Sequence, residues 1–220
     1  MSRNFKSLLA LFAFAFLFIA STSVMAQRDR AELTQVDVRT VQADGAAPGV
    51  ATLGCCRCLG ASNTLDLSTT TANNWTVTNP GNVTSPVVFV SQLHSAWNLN
   101  PGSAKWVSTV ASGLTSVAVG AYEYRLRFAV PQCAIEQRVV LTGNNGGDDN
   151  VDVYLDSVSS ANLLSHCAGG WCFNTSNPPP AFIPRSVGPG GHTLIVKVNN
   201  ASASPHGMFV NAKLTTTCRN

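Results

Sequence analysis

The stretch Gly120-Ala-Tyr-Glu-Tyr-Arg-Leu-Arg-Phe-Ala-Val130 constrains the fold more than any other part of this chain. Tyr122, Tyr124, Leu126, Phe128 and Val130 take every second position, and Glu123, Arg125 and Arg127 stand between them. Successive side chains of a strand point to opposite faces, so this pattern specifies one buried and one wet face. A sheet wet on one side is the antiparallel kind, packed against a core with its other side.

The same theme recurs in shorter form. Trp75 to Thr78 lies between Asn73-Asn74 and Asn79-Pro80-Gly81, and Val87 to Val90 follows Pro86. Cys133 to Leu141 reads as a strand, and Thr142-Gly-Asn-Asn-Gly-Gly147 as the turn after it. Val151, Val153 and Leu155 then alternate with Asp152, Tyr154 and Asp156, and His192 to Val198 and Met208 to Leu214 complete the set. No window carries a helical period, while 17 glycines and 11 prolines punctuate the chain throughout. Many short strands divided by turn residues predict an all-β jelly-roll β-sandwich of two antiparallel sheets.

The first residues predict export. Arg3 and Lys6 precede the apolar run Leu8 to Ala20, and Val24-Met25-Ala26 supplies the small-residue site before Gln27. This is the plan of a signal peptide over 1–26, with an apolar run short of the roughly 20 residues of a membrane-spanning helix. No later segment is apolar enough to span a membrane. Residues 27–50 are polar and Gly/Ala/Pro-punctuated, an extended N-terminal arm with a candidate strand at Gln35–Val41, and the domain proper covers 51–220. Of 14 Lys and Arg residues two fall in the signal, which carries none of the 11 acids, so the mature net charge is 12 − 11 = +1. Nucleic-acid binding would need a clustered basic face, and none is present. The expected locations are periplasm, cell surface or extracellular space.

All seven cysteines, Cys55, Cys56, Cys58, Cys133, Cys167, Cys172 and Cys218, lie in the exported part. In an oxidising compartment they are disulfide candidates that brace the domain. Cys167 and Cys172 enclose only AGGW and are a plausible local pair. Cys218 and Cys133 could each take a member of the Cys55–Cys58 cluster, and the odd count leaves one thiol for an intermolecular bridge. Zinc at Cys55-Cys56-Arg57-Cys58 lacks a second ligand pair in any usual spacing.

An ordered series of motifs from about Trp75 to Leu214 resembles the galactose-binding-domain-like jelly roll. Gly120 to Phe128 is similar to its G-x-Y-x-Y-R-x-x-F strand, and Asp149-Asn-Val-Asp-Val-Tyr-Leu-Asp156 to its D-N-x-V-x-V-x-L-N-G strand, with Asp156-Ser157 where the family has Asn-Gly. Phe182 with Gly188 to Asn200, then Pro205-His-Gly-Met-Phe-Val210, are similar to the closing strands. The resemblance implies a fold shared by secreted bacterial carbohydrate-binding modules and structural modules. It also implies that a structural calcium is a possible ligand of the oxygen-rich segment around Asp148, Asp149 and Asn150. Calcium takes six to eight oxygens, and the alternative there is a solvated turn.

No complete catalytic site is legible. The acids Asp148, Asp149, Asp152 and Asp156 crowd one strand and its turn rather than facing each other across a cleft, and no G-x-S-x-G elbow occurs. Sugar binding needs a flat ring beside a few placed polar groups. Trp97, Trp171 and Tyr154 are the candidate rings, Trp171 in the Gly-flanked loop Gly169-Gly-Trp-Cys172, and Arg125 and Arg127 the candidate polar partners. The expected function is non-catalytic binding of carbohydrate or surface glycan. The alternative is a structural or adhesive surface protein that self-assembles through its arm or a free cysteine.

Overall fold

In the computed structural model the described residues are 50–55, 61–70, 74–97, 101–133, 136–174 and 178–218. All of them fall in one compact unit. The expected signal peptide, the arm up to residue 49, its candidate strand and Cys56 and Cys58 lie outside the described residues.

The strands, in chain order, are β1 (Ala51–Thr52), β2 (Ser62–Asp66), β3 (Trp75–Thr78), β4 (Thr84–Pro86), β5 (Val88–Phe89), β6 (Val107–Ser108) and β7 (Gly120–Val130). They continue with β8 (Gln137–Asp148), β9 (Asn150–Leu155), β10 (Leu163–Cys167), β11 (Arg185–Ser186), β12 (Gly190–Asn200) and β13 (Gly207–Cys218). One sheet runs β10-β9-β12-β7-β3-β4, with β1 added parallel to β7, and the other runs β11-β8-β13-β6-β5, with β2 beside β13. All other pairings are antiparallel. The described residues thus form a jelly-roll β-sandwich of two sheets, with short 3-10 turns at Ser160–Asn162 and Gly169–Cys172 as the helical elements.

The alternation in β7 does what its pattern requires. Tyr122, Tyr124, Leu126, Phe128 and Val130 are buried between the sheets, where β12 contributes Leu194, Val196 and Val198, and β13 contributes Met208, Val210, Ala212 and Leu214. Burying each large apolar side chain there stabilises the fold by about 1.5–3 kcal/mol. A second, smaller cluster of Trp97, Ala104, Trp106 and Phe209 lies apart from this core.

One expectation is corrected. Gly143 to Gly147 is no turn but the second half of β8, which pairs with β13 without a break from Gln137↔Cys218 to Asp148↔Gly207. The glycines serve close approach instead. A Cβ on Gly143 would stand 2.5 Å from the Asn211 carbonyl oxygen, one on Gly146 2.4 Å from the Phe209 ring, and one on Gly147 2.6 Å from Val151. Glycine inside a strand marks such crowding as well as turns.

Disulfides join Cys55 to Cys133 and Cys167 to Cys172, and Cys218 is disulfide-bonded as well. The first closes a loop across 78 residues, the kind of long closure that removes most freedom from the unfolded chain.

Candidate functional site

The outer face of the larger sheet brings three of the candidate residues together. Facing residues across β9, β12 and β7 are Tyr154, Ile195 and Arg125, and the row continues to Thr76 on β3. The next row holds His166, Asp152, Lys197, Glu123 and Thr78. On the other side Arg127 faces Thr193. Neighbouring strands lie about 4.8 Å apart, so the ring and its polar neighbours cover a patch on the scale of a few sugar units.

The patch is locally organised. Arg125 Nε donates to Glu123 Oε1 at 2.6 Å, and His166 Nδ1 donates to Asp152 Oδ1 at 2.6 Å. Tyr154 is half-buried; its hydroxyl pKa is raised by burial and then by the Asp152 carboxylate it faces. Arg127 and Lys197 form no ion pair or side-chain hydrogen bond among the described residues. Ile195, at 1% exposure, belongs to neither apolar cluster and stands between Tyr154 and Arg125. The alternation in β9 and β12 places Asp152, Ile195 and Lys197 on this face, so they were available to sequence reasoning. His166 was not, because β10 carries no alternation that would set its register.

Trp97 is not an exposed platform, which corrects the sequence expectation. It is fully buried, stacked on Trp106 with ring centroids 4.4 Å apart, and its Nε1 donates to Asp148 Oδ2 at 2.8 Å. The ring lies against the backbone of Gly113 and Gly207, where an added Cβ would stand 3.0 Å from it. Trp171 sits on the 3-10 turn Gly169–Cys172; its side chain lies outside the described residues.

Asp148, Asp149 and Asn150, at the β8–β9 corner, each hold a different loop. Asp148 holds Trp97; Asp149 Oδ2 accepts from the Ala201 N–H at 2.9 Å, after β12; Asn150 Oδ1 accepts from the Gly169 N–H at 2.5 Å, in the disulfide loop. A calcium site needs oxygens aimed at one point. The three side chains are thus each engaged with a different loop, and among the described residues no group of three or more His, Cys, Asp or Glu side chains could hold a metal ion.

Behind the corner lies a buried polar chain that sequence reasoning missed. His206 Nδ1 faces the Asp148 carbonyl at 3.0 Å and must donate to it, since a carbonyl only accepts. Its Nε2 therefore accepts from the Tyr124 hydroxyl, 2.8 Å away. Burial keeps this ring neutral, lowering its pKa from 6.5 to about 4. Tyr122 stacks on it at 3.9 Å, and burial pushes the Tyr124 hydroxyl far above the ordinary tyrosine range. Asp148 moves the other way: burial first, then its hydrogen bond with Asp149, raise its pKa from 3.8 to about 7.

Solved structures with a similar chain path include a Stig cyclase from Fischerella sp. TAU, 14% identical over 70% of this chain and 90% of that one, with a TM-score of 0.38. A family 35 carbohydrate-binding module from Clostridium thermocellum is 10% identical over 70% of this chain and 96% of its own, at a TM-score of 0.37. A carbohydrate-binding module of Cellvibrio mixtus lichenase 5A, solved with cellotriose, is 12% identical over 60% and 97%, at 0.26. No protein-family model matches the chain, and no curated protein sequence matches it.

Proposed function

We propose that the mature chain is a secreted, non-catalytic carbohydrate-binding domain whose site is the outer face of the larger sheet. The observation that carries this reading is the row Tyr154–Ile195–Arg125, flanked by His166–Asp152 and by the uncommitted Arg127 and Lys197. The half-buried Tyr154 ring gives a sugar face a platform, and Ile195 beside it is buried and takes no part in the contact. Acids, an imidazole and guanidinium groups around it give donors and acceptors for hydroxyls, the usual make-up of a small-ligand site. Strands hold these groups at fixed spacing, which spares binding the cost of ordering loops.

The test is a glycan-array screen of the oxidised mature protein, with and without calcium, followed by titration of any hit. Binding should fall at least about tenfold in Tyr154→Ala and in Arg125→Ala, the scale of one lost hydrogen-bonded or stacked contact. Asp66→Ala, on the other sheet, should bind as the parent does. The Trp171→Ala variant reports whether the neighbouring disulfide loop belongs to the same site. A folded protein that binds nothing on a broad array would favour the structural or adhesive alternative.

A further inference from the structure

We propose, resting on the outer-face site described above, that the glycan it takes is an acidic chain. Arg127 and the Thr193 that faces it take a carboxylate or sulfate on one side of the Tyr154 ring, and Lys197 takes a second on the other. The placement follows from the register. Arg127 lies on the row Asp156–Thr193–Arg127 and Lys197 on the row His166–Asp152–Lys197–Glu123, with the Tyr154 row between them. Rows of one face are two residues apart, about 6.7 Å, so each cation reaches a sugar adjoining the one on the ring.

The acids of these rows are engaged, while the two cations are not. Glu123 Oε1 accepts from Arg125 at 2.6 Å, and Asp152 Oδ1 from His166 at 2.6 Å. Asp156 accepts the Thr193 N–H at 2.9 Å and faces His192 Nδ1 at 3.0 Å. Among the described residues Arg127 and Lys197 have no ion pair or side-chain hydrogen bond, and the Thr193 hydroxyl has no partner. Lys197 stands between Asp152 and Glu123, which offset part of its charge. Arg127 is exposed and lies two strands from Asp156, the acid of its own row. The Arg127 end is therefore the more electropositive.

A neutral glycan laid across the Tyr154 ring would cover these cations and strip their water without supplying a counter-charge, which disfavours its binding. An anionic group offsets that loss. The planar Arg127 guanidinium presents paired N–H donors to two oxygens of a carboxylate or sulfate, and the Thr193 hydroxyl adds another donor. Lys197 contributes a point charge. By strand rise and spacing the two cations stand about 14 Å apart at the backbone, more than one sugar spans. The charges sought are therefore on separate sugars of one chain, and a single acidic monosaccharide meets only one of them.

The experiment is calorimetric titration of the full oxidised domain, in EDTA so that calcium held by the glycan plays no part. Two matched pairs are the probes: oligogalacturonate against its carboxyl-reduced form, and a κ-carrageenan oligosaccharide against its desulfated form. An acidic member should bind about tenfold tighter than its neutral partner, and the pair that shows this tells carboxylate from sulfate. Raising the salt from about 0.05 M to about 0.5 M should weaken the acidic member alone. Arg127→Gln should cut acidic binding about tenfold and Lys197→Gln about threefold, each leaving neutral binding unchanged. Arg138→Gln, exposed on the other sheet, should change neither. Acidic and neutral members that bind alike, with Tyr154→Ala abolishing both, overturn the acidic preference and leave the outer-face site standing. A preference that survives Arg127→Gln, or that falls equally in Arg138→Gln, overturns it as well. Binding of neither member of either pair, nor of any array glycan, overturns the site itself and this inference with it.

Discussion

Two regions of this domain use the same side chains under opposite conditions. At the β8–β9 corner an aspartate, a histidine and a tyrosine are buried: Asp148, His206 and Tyr124. On the outer face of the larger sheet the same trio recurs as Asp152, His166 and Tyr154, with the His166 side chain 63% exposed. In the buried set the protonation states are forced: the acid leans neutral, the imidazole stays neutral, and the phenol cannot ionise. On the outer face solvent screens the His166–Asp152 pair, so it contributes little to stability and remains available to a ligand. Burial, rather than residue type, separates the structural set from the candidate binding set.

The harshest way to break the buried set is Trp97→Ala. It empties a site between Trp106, Gly113 and Gly207 and leaves Asp148 without its donor from another loop. A loss of about 3–5 kcal/mol is expected, the range for a buried aromatic truncated in a packed site. Urea unfolding of the oxidised protein measures it; a loss below about 1 kcal/mol would mean that the segment carrying Trp97 does not depend on its docking.

The pH dependence sharpens the comparison next. Asp148 has its pKa raised from 3.8 to about 7, so its contribution to stability is complete below pH 3.8 and lost as pH rises through about 7. His206 has its pKa lowered from 6.5 to about 4, so its contribution is present above pH 6.5 and lost as pH falls through about 4. Between about 4 and 6.5 the folded state therefore holds one proton more at Asp148 and one fewer at His206, and the two slopes cancel. Each variant should expose the slope its partner hides. Asp148→Asn should make stability rise with pH across that window, and His206→Gln should make it fall, each by up to about 1.4 kcal/mol per pH unit. Urea midpoints at stepped pH values read this directly. Parallel slopes in the two variants would show that the groups do not oppose each other.

Tyr124→Phe should cost less, about 1–3 kcal/mol, because it leaves the His206 Nε2 buried without a donor while filling nearly the same volume. It should also raise the proton affinity of that nitrogen, which hydrogen-bonded proton NMR of the imidazole would report. An unchanged stability would mean that a buried water replaces the hydroxyl.

The sandwich was legible where one face is buried and the other wet. β7 and β9 carry that alternation in their own residues, and the structure places both within a residue or two of the expected bounds. β8 was misjudged because two of its glycines answer to Ala212 and Phe209, from a distant part of the chain, and the third to Val151 on the next strand. β2, Ser62-Asn-Thr-Leu-Asp66, was missed because a polar edge strand looks like a loop until β13 is there to pair with it. The site divided in the same way. Tyr154, Arg125 and Arg127 follow from strand parity, which one sequence reveals. The burial of Trp97 depends on the facing glycines, on Trp106 and on Asp148, and the two tryptophans are only nine positions apart with no pattern to show their stacking. His206 showed only a turn-like Pro205-His-Gly207 context, so its contact with Tyr124, 82 residues away, left no local trace.

The smallest effects belong to the outer face, and there smallness is the informative result. Tyr154→Ala, Arg125→Ala and His166→Ala should each change the unfolding free energy by no more than about 1 kcal/mol, since the Arg125–Glu123 and His166–Asp152 pairs are solvent-screened. Tyr154 is the strictest case of the three, because it flanks Ile195, which is fully buried outside both apolar clusters. Were the Tyr154 ring there only to shield Ile195, Tyr154→Leu would keep both stability and glycan binding. A ring that serves as a platform predicts the other split: Tyr154→Leu folds as stably as the parent and loses binding, while Tyr154→Phe keeps both. Measuring urea midpoints and glycan affinity side by side on those two variants separates a surface that exists for the fold from one that exists for a ligand.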